Sequence, residues 1–285
     1  MHIYYQELWP ILDECLKNIP SNDDYDLFIT VTDLNEDITK KILFSYPNAH
    51  VEECENVGYD VWPFFRIINR INLNDYSYLI KLHTKRDMKN VISNIDNKYF
   101  FKGLSWRNYL LSFICSKENF SKSIQAFYNN PKLGMINCHR LFDTTRMPSL
   151  NSHLSYCMEA AKKILIKAKL EPYPSKSVCY IAGTMFICRA SLMKPLQSLF
   201  LSKYEFSEAN RTKENDLAHV MERVFGWCIT SQGYKISDPY TNFLSELCYF
   251  PYCLYCKFLL FKIKHRMFSK ICRFFIRVDF TKKKN

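Results

Sequence analysis

Lys81, His83 and Lys85 alternate along the run YLIKLHTKRD, residues 78–87. In an extended chain, residues two apart share a face, so this spacing turns two ammonium groups and an imidazole to one side. Such a set suits a diphosphate, because lysine supplies point charge and histidine a directed N–H. The same run also fits a strand end that is merely solvated. Upstream, NVGYD at residues 56–60 forms an Asn-X-Gly turn ahead of a helix-sized segment. Glycine there allows close approach of backbone to a ligand, and a helix N-terminus attracts anions. In KENDLAHVMERVFG, Glu214 and Asp216 open an expected helix, with His219 and Glu222 one and two turns further on. Acids at a helix start are favourable capping charges. If that helix end faces the ligand, Glu214 or Asp216 can act as a general base.

Positioning these groups requires a sheet. His2-Ile3-Tyr4-Tyr5, DYDLFITVTD, AHVEECE, YSYLIKLHT, KLGMINC and YIAGTMFICRA read as strands. Between them, helices are expected from about Glu7 to Asn18, over ITKKILFSYP and VWPFFRIINRI, over WRNYLLSFIC and ENFSKSIQAFYNN, and at residues 157–169. One more is expected within NDLAHVMERVFGWCITSQGY. Strands alternating with helices of this size predict an α/β fold with a mostly parallel sheet and helices on both faces. Ligands of such sheets bind at the carboxyl ends of the strands. Residues 1–244 are expected to form this domain and 245–285 a separate basic, aromatic segment.

Composition excludes several function classes. The 48% hydrophobic content with only 6 Gly points to a packed globule. Twelve cysteines lie scattered in apolar runs and read as reduced, buried side chains of a cytosolic protein. The opening MHIYYQELWP has neither the basic nor the apolar region of a signal peptide. Ser245 to Asn285 holds 10 Lys/Arg against two acids, while the other 244 residues carry 29 against 26. The body is nearly neutral, which argues against nucleic acid as its partner. The chain contains no G-x-x-x-x-G-K-S/T loop and no G-x-G-x-x-G. CLYC at 253–256 is a lone CxxC, unsuited to zinc. The single Asp-X-Asp, at 24–26, precedes a strand instead of ending one.

The longest uncharged run of the tail, Leu247 to Cys256, has ten residues and contains Pro251, too short to span a bilayer. Phe258, Phe261, Phe268, Ile271 and Phe275 recur at helical steps among lysines and arginines. That pattern predicts an amphipathic helix lying on an anionic membrane surface. A C-terminal helix packed on the domain with a solvated basic face is the alternative.

Taken in order, HIYYQELWPIL, YDLFITVT, ENVGYDVWPFF, YSYLIKLHTKRD, WRNYLL, AGTMFICRASLMKPL and DLAHVMERVFG resemble the rhamnan synthesis protein F family of bacterial polysaccharide glycosyltransferases. The resemblance spans most of residues 2–235 and implies a GT-A-like nucleotide-binding sheet. It implies a donor side at Tyr5, Thr32, Asn56, Gly58, Asp60, Lys81, His83 and Lys85, with the three basic residues where a metal would otherwise sit. Gly183, Thr184 and Met185 would lie beside the acceptor, and Glu214, Asp216, His219 and Glu222 would belong to the catalytic region. The implied reaction is inverting transfer from a dTDP- or UDP-sugar to a lipid-linked glycan at the cytoplasmic face of the bacterial inner membrane. No cofactor and no metal are expected. A non-catalytic membrane or assembly module that keeps a degenerate transferase fold is the other reading. The chain departs from the family at Tyr59 and Trp62, where Arg and Gly are usual, which leaves the donor sugar open.

Overall fold

A computed structural model of the chain describes residues 1–21, 23–93, 99–146, 153–171, 177–206, 217–240, 251 and 253–259. The strands in chain order are β1 (His2–Ile3), β2 (Phe28–Val31), β3 (His50–Glu53), β4 (Tyr78–Lys81), β5 (Met88–Ser93), β6 (Phe100–Gly103), β7 (Leu133–Ile136), β8 (Phe142–Arg146), β9 (Ser177–Ile181), β10 (Phe186–Arg189) and β11 (Lys235–Ser237). The α-helices are α1 (Trp9–Leu16), α2 (Glu36–Ser45), α3 (Val61–Ile68), α4 (Ser105–Leu110), α5 (Lys117–Asn129), α6 (His153–Lys167), α7 (Lys194–Gln197) and α8 (Leu217–Ser231). Two compact units result, Met1–Arg86 with Arg107–Tyr240, and Asp87–Trp106 with Thr241–Asn285.

In the first unit β1, β2 and β3 pair in parallel. A second group runs in the order β11-β7-β10-β4. The two groups join where the chain just past β4 meets β1. His2 N–H donates to Leu82 O at 2.9 Å, and Thr84 N–H donates to His2 O at 3.1 Å. The resulting order is β3-β2-β1-β4-β10-β7-β11. The sheet is mixed, because β10 runs antiparallel to both β4 and β7.

That antiparallel insertion comes from a turn the sequence concealed. YIAGTMFICRA was expected as one strand, but it forms β9 and β10 with a reversal between them. Gly183 and Thr184 take left-handed φ values of 84° and 52°. Two such residues in succession cannot continue an extended strand. β9 consequently pairs with β8 in a separate ribbon, while β10 enters the main sheet. The first strand is also shorter than expected. Tyr4 and Tyr5 leave β1 because their N–H groups both donate to Thr84 Oγ1, at 3.0 and 2.9 Å. Helix starts follow local rules: Asn35 Oδ1 caps α2 by accepting from Ile38 N–H, and Ser116 Oγ caps α5 by accepting from Asn119 N–H.

The core between sheet and helices is aromatic. Phe64 and Phe65 of α3, Phe186 of β10 and Phe225 of α8 meet with ring centroids 5.4–6.3 Å apart. α8 also lies directly on β9, where Gly226 permits the contact. A Cβ at Gly226 would come within 2.6 Å of Tyr180 Cα.

In the second unit β5 and β6 form an antiparallel hairpin. Phe101 stands edge-on to Trp106 at 4.8 Å, and Lys257 Nζ lies 5.6 Å from the Phe100 ring centre. Residues 253–259 are helical. Among the described residues, no helix is long and apolar enough to cross a membrane. Phe261, Phe268, Ile271 and Phe275 lie outside the described residues.

The backbone contact of α8 predicts that Gly226→Ala lowers stability by about 3 kcal/mol, since neither backbone can yield easily. The helix propensity gained from alanine, about 1 kcal/mol, is too small to offset it. Urea unfolding of the two proteins measures the difference.

Candidate functional site

Lys81 closes β4 and points into the aromatic cluster, its ammonium 5.6 Å from the Phe64 ring centre and 5.9 Å from that of Phe225. It is 3% exposed. A charge so deep needs an ionic partner, and Asp60, immediately before α3, provides one. Lys81 Nζ donates to Asp60 Oδ2 and, at 3.0 Å, to Thr184 Oγ1. Thr184 in turn donates to the same Asp60 oxygen. His83, 4% exposed, brings Nδ1 within 3.5 Å of Asp60 Oδ2, but without hydrogen-bond geometry.

Burial alone would raise the Asp60 pKa. The neighbouring cations and the hydrogen bonds from Lys81 and Thr184 prevail, and hold it well below the usual carboxylate range. Burial pulls the Lys81 pKa down, opposed by Asp60. For His83 burial dominates outright and brings its pKa to about 3, so the ring is neutral near pH 7. His2, beside it across the strand bridge, is brought to about 4 by the same cause.

Two strained turns deliver these groups. Gly58 and Tyr59 have φ of 60° and 54° and lead into Asp60. Gly183 and Thr184, also left-handed, aim the Thr184 hydroxyl at Lys81. Left-handed backbone costs a non-glycine residue about 1 kcal/mol or more, so Tyr59 and Thr184 store strain on both sides of the lysine. Gly58 is further restricted by Phe206, whose ring would lie 2.8 Å from an added Cβ.

Beyond the cluster, Gly183 N–H donates to Glu222 Oε1 at 2.6 Å. Glu222 stands on α8 close enough to Lys81 to favour its charged form. One turn earlier, His219 meets the Tyr59 ring edge-on at 5.6 Å. Asp60, Lys81, His83, Gly183, Thr184, His219 and Glu222 therefore gather at one place. Met185 is fully buried, and its carbonyl accepts from Asn137 Nδ2 at 2.6 Å. Lys85 is half-buried and makes no ion pair among the described residues. Glu214 and Asp216 lie outside the described residues.

A polar cleft of about 720 Å³ opens at the carboxyl ends of β1, β2 and β3, lined by Tyr4, Thr32, Asp33, Glu53, Cys54, Glu55, Asn56 and Arg66. Asn56 Nδ2 donates to the Tyr4 hydroxyl at 3.5 Å. Tyr5, two residues past β1, carries the Arg86 guanidinium 4.0 Å from its ring centre. Of the donor-side residues expected from the sequence, Thr32 and Asn56 line this cleft; Tyr4, Asp33 and Arg66 line it too and were not singled out. The signal for Asp33 was its position directly after an apolar strand; Arg66, on an amphipathic helix, gave none.

Both histidines are neutral and buried in the folded state, whereas an unfolded chain protonates them below about pH 6.5. Their folded pKa values are depressed, so the stability they allow is lost as pH falls from 6.5 toward 4. Asp60, whose folded pKa is also depressed, adds to the loss below its ordinary value of 3.8. The expected cost of each histidine approaches about 1.4 kcal/mol per pH unit. His83→Gln should flatten the decline of Tm with acidification over that range; an unchanged slope would mean that His83 is not buried in neutral form.

No solved structure matches the chain. An uncharacterized protein, WxcX, from two strains of Xanthomonas campestris pv. campestris is 25% identical over 240 residues, covering 83% of this chain. The chain spans about a third of the length of these curated relatives, 32%. Residues 1–234 match the model of the rhamnan synthesis protein F family, a span that contains the whole cluster and the cleft. The chain belongs to the rhamnan synthesis protein F family.

Proposed function

We propose that the chain is a glycosyltransferase of GT-A-like architecture, transferring sugar from a nucleoside diphosphate donor during polysaccharide synthesis. The observation that carries this reading is the polar cleft at the carboxyl ends of β1–β3, combined with the buried Asp60–Lys81–Thr184 cluster at the end of β4. A cleft of about 720 Å³ lies within the usual range for small-molecule sites. Strained backbone at Tyr59 and Thr184 concentrates where catalytic and ligand-clamping residues often sit. The strand order β3-β2-β1-β4 puts cleft and cluster on one edge of the sheet, which supports the GT-A comparison.

In this reading the nucleoside occupies the cleft near Thr32, Asp33 and Asn56. The diphosphate lies toward Lys85, next to the His83 end of the cluster. The Lys85 ammonium supplies the positive charge that stabilises the leaving group, since His83 is neutral and Lys81 is paired with Asp60. Lys81 acts from behind, holding Asp60 ionised and Thr184 oriented. A carboxylate takes the proton of an acceptor hydroxyl as its oxygen bonds to the anomeric carbon. The bond from that carbon to the diphosphate oxygen breaks in the same step, inverting the centre. Glu222, beside Gly183, is one candidate for that base, and Glu214 and Asp216 stay candidates on sequence grounds. The acceptor is proposed to be a lipid-linked glycan. Leu254, Tyr255 and Phe258, all more than half exposed beside Lys257, support attachment to an anionic bilayer through the second unit.

Thermal shift against UDP, dTDP and GDP should give a rise in Tm with one of them, in the absence of divalent metal. Glu222→Gln, Glu214→Gln and Asp216→Asn should then separate, one abolishing transfer while keeping the nucleotide shift. Failure of every nucleotide to bind would overturn the transferase reading in favour of a non-catalytic module. The membrane reading predicts cosedimentation of the full chain with phosphatidylglycerol vesicles but not with phosphatidylcholine vesicles. Equal recovery with both vesicle types would count against an electrostatic contribution.

A further inference from the structure

Separate from the Lys81 cluster, a second group of chemically capable side chains forms where β7 and β11 end. These strands run parallel, and the register shifts between Lys235 and Ile236, so that Ser237 stands opposite Ile136. Without that irregularity, Ser237 would face Met135 and everything after it would fall one residue short. With it, Asn137 N–H donates to Ser237 O at 3.3 Å, and Asp238 arrives beside Cys138 and His139. Bulges of this kind commonly re-aim a side chain.

The Asp238 carboxylate is held from two directions. Its Oδ2 accepts from the His139 backbone N–H at 2.9 Å and contacts His139 Nδ1 at 2.8 Å. Its Oδ1 accepts from Tyr240 N–H at 3.0 Å. Cys138 is buried, the Asp238 side chain is 4% exposed, and His139 opens partly toward solvent. One ligand atom from each of Cys138, His139 and Asp238 lies within 4.8 Å of the others. A thiol, an imidazole and a carboxylate so close together form a donor set of mixed softness, suited to zinc in preference to magnesium or calcium.

We propose that Cys138, His139 and Asp238 form a binding site for a single zinc ion. Cys138 ligates as thiolate, His139 through a ring nitrogen and Asp238 through a carboxylate oxygen. Binding displaces the thiol proton and, where Nδ1 is the ligand, the proton it shares with Asp238. Three protein ligands leave a fourth tetrahedral position, which water fills from the partly exposed side of His139. Because its ligands come from the ends of two neighbouring strands, the ion clamps β11 to β7. The site does not depend on the transferase reading, since none of its ligands belongs to the cleft or to the Lys81 cluster.

The test uses the full chain, stripped with chelator and then equilibrated with micromolar zinc or cobalt. Zinc content by mass spectrometry is expected to reach one ion per chain and to raise Tm. Cobalt is expected to give visible bands of tetrahedral coordination together with a thiolate charge-transfer band. Cys138→Ser should abolish the charge-transfer band. His139→Gln, at a partly exposed position, should weaken zinc binding at least tenfold while keeping the folded circular dichroism spectrum. Absence of stoichiometric zinc would overturn the proposal. So would a thiolate band that survives Cys138→Ser, because it would trace to another of the chain's cysteines.

Discussion

The ion pair between Lys81 and Asp60 is the constraint around which the first unit is arranged. An ammonium among phenylalanine rings is tolerated only with a carboxylate and further hydrogen bonds in reach. Four elements must therefore converge: β4 brings the lysine, the turn before α3 brings Asp60, the β9–β10 turn brings Thr184, and α8 completes the aromatic wall with Phe225. Removing any of them would leave a buried charge unpaired or an aromatic face wet. Rings flanking the ammonium add an attraction of their own, up to about 2 kcal/mol where water is excluded.

The same constraint accounts for the strained turns. Reaching Asp60 from β3 and Thr184 from β9 requires the chain to reverse within two residues on each side. Glycine takes the first position both times, and a residue with a side chain takes the second. Tyr59 uses its unusual backbone to meet His219, and Thr184 uses its own to bond Lys81 and Asp60. In each case the stored strain is offset by contacts that an ordinary turn would not make. A rigid, preorganised edge of the sheet follows.

Continuity of the sheet rests on a narrow connection. β1 and β4 meet by the bridge of His2 to His83, and both histidines are buried there in neutral form. Thr84, next in the chain, takes up the N–H groups of Tyr4 and Tyr5 and turns them away from the strand. The tyrosines are thereby free to stand at the edge of the cleft, Tyr4 lining it and Tyr5 stacked under Arg86. A local detail of backbone hydrogen bonding thus sets the boundary between core and site.

The family, the α/β class and most helices of the first unit were legible in the sequence, because periodicity and motif order are local properties. Asn35 and Ser116 mark their helices by short-range hydrogen bonds, and NVGYD marks its turn by a glycine that must go left-handed. Lys81 and His83 were also visible as unusual, but their destination was not. A charge at a strand end looks the same whether it faces solvent, a ligand or a buried aspartate 21 residues away. Only the tertiary structure decided that, through the burial that makes a partner obligatory. It also decided that AGT is a reversal, since Thr184 is held left-handed by distant partners against its own preference. The meeting of Cys138 and His139 with Asp238 depended in the same way on a register shift between strands about a hundred residues apart, which no local pattern encodes.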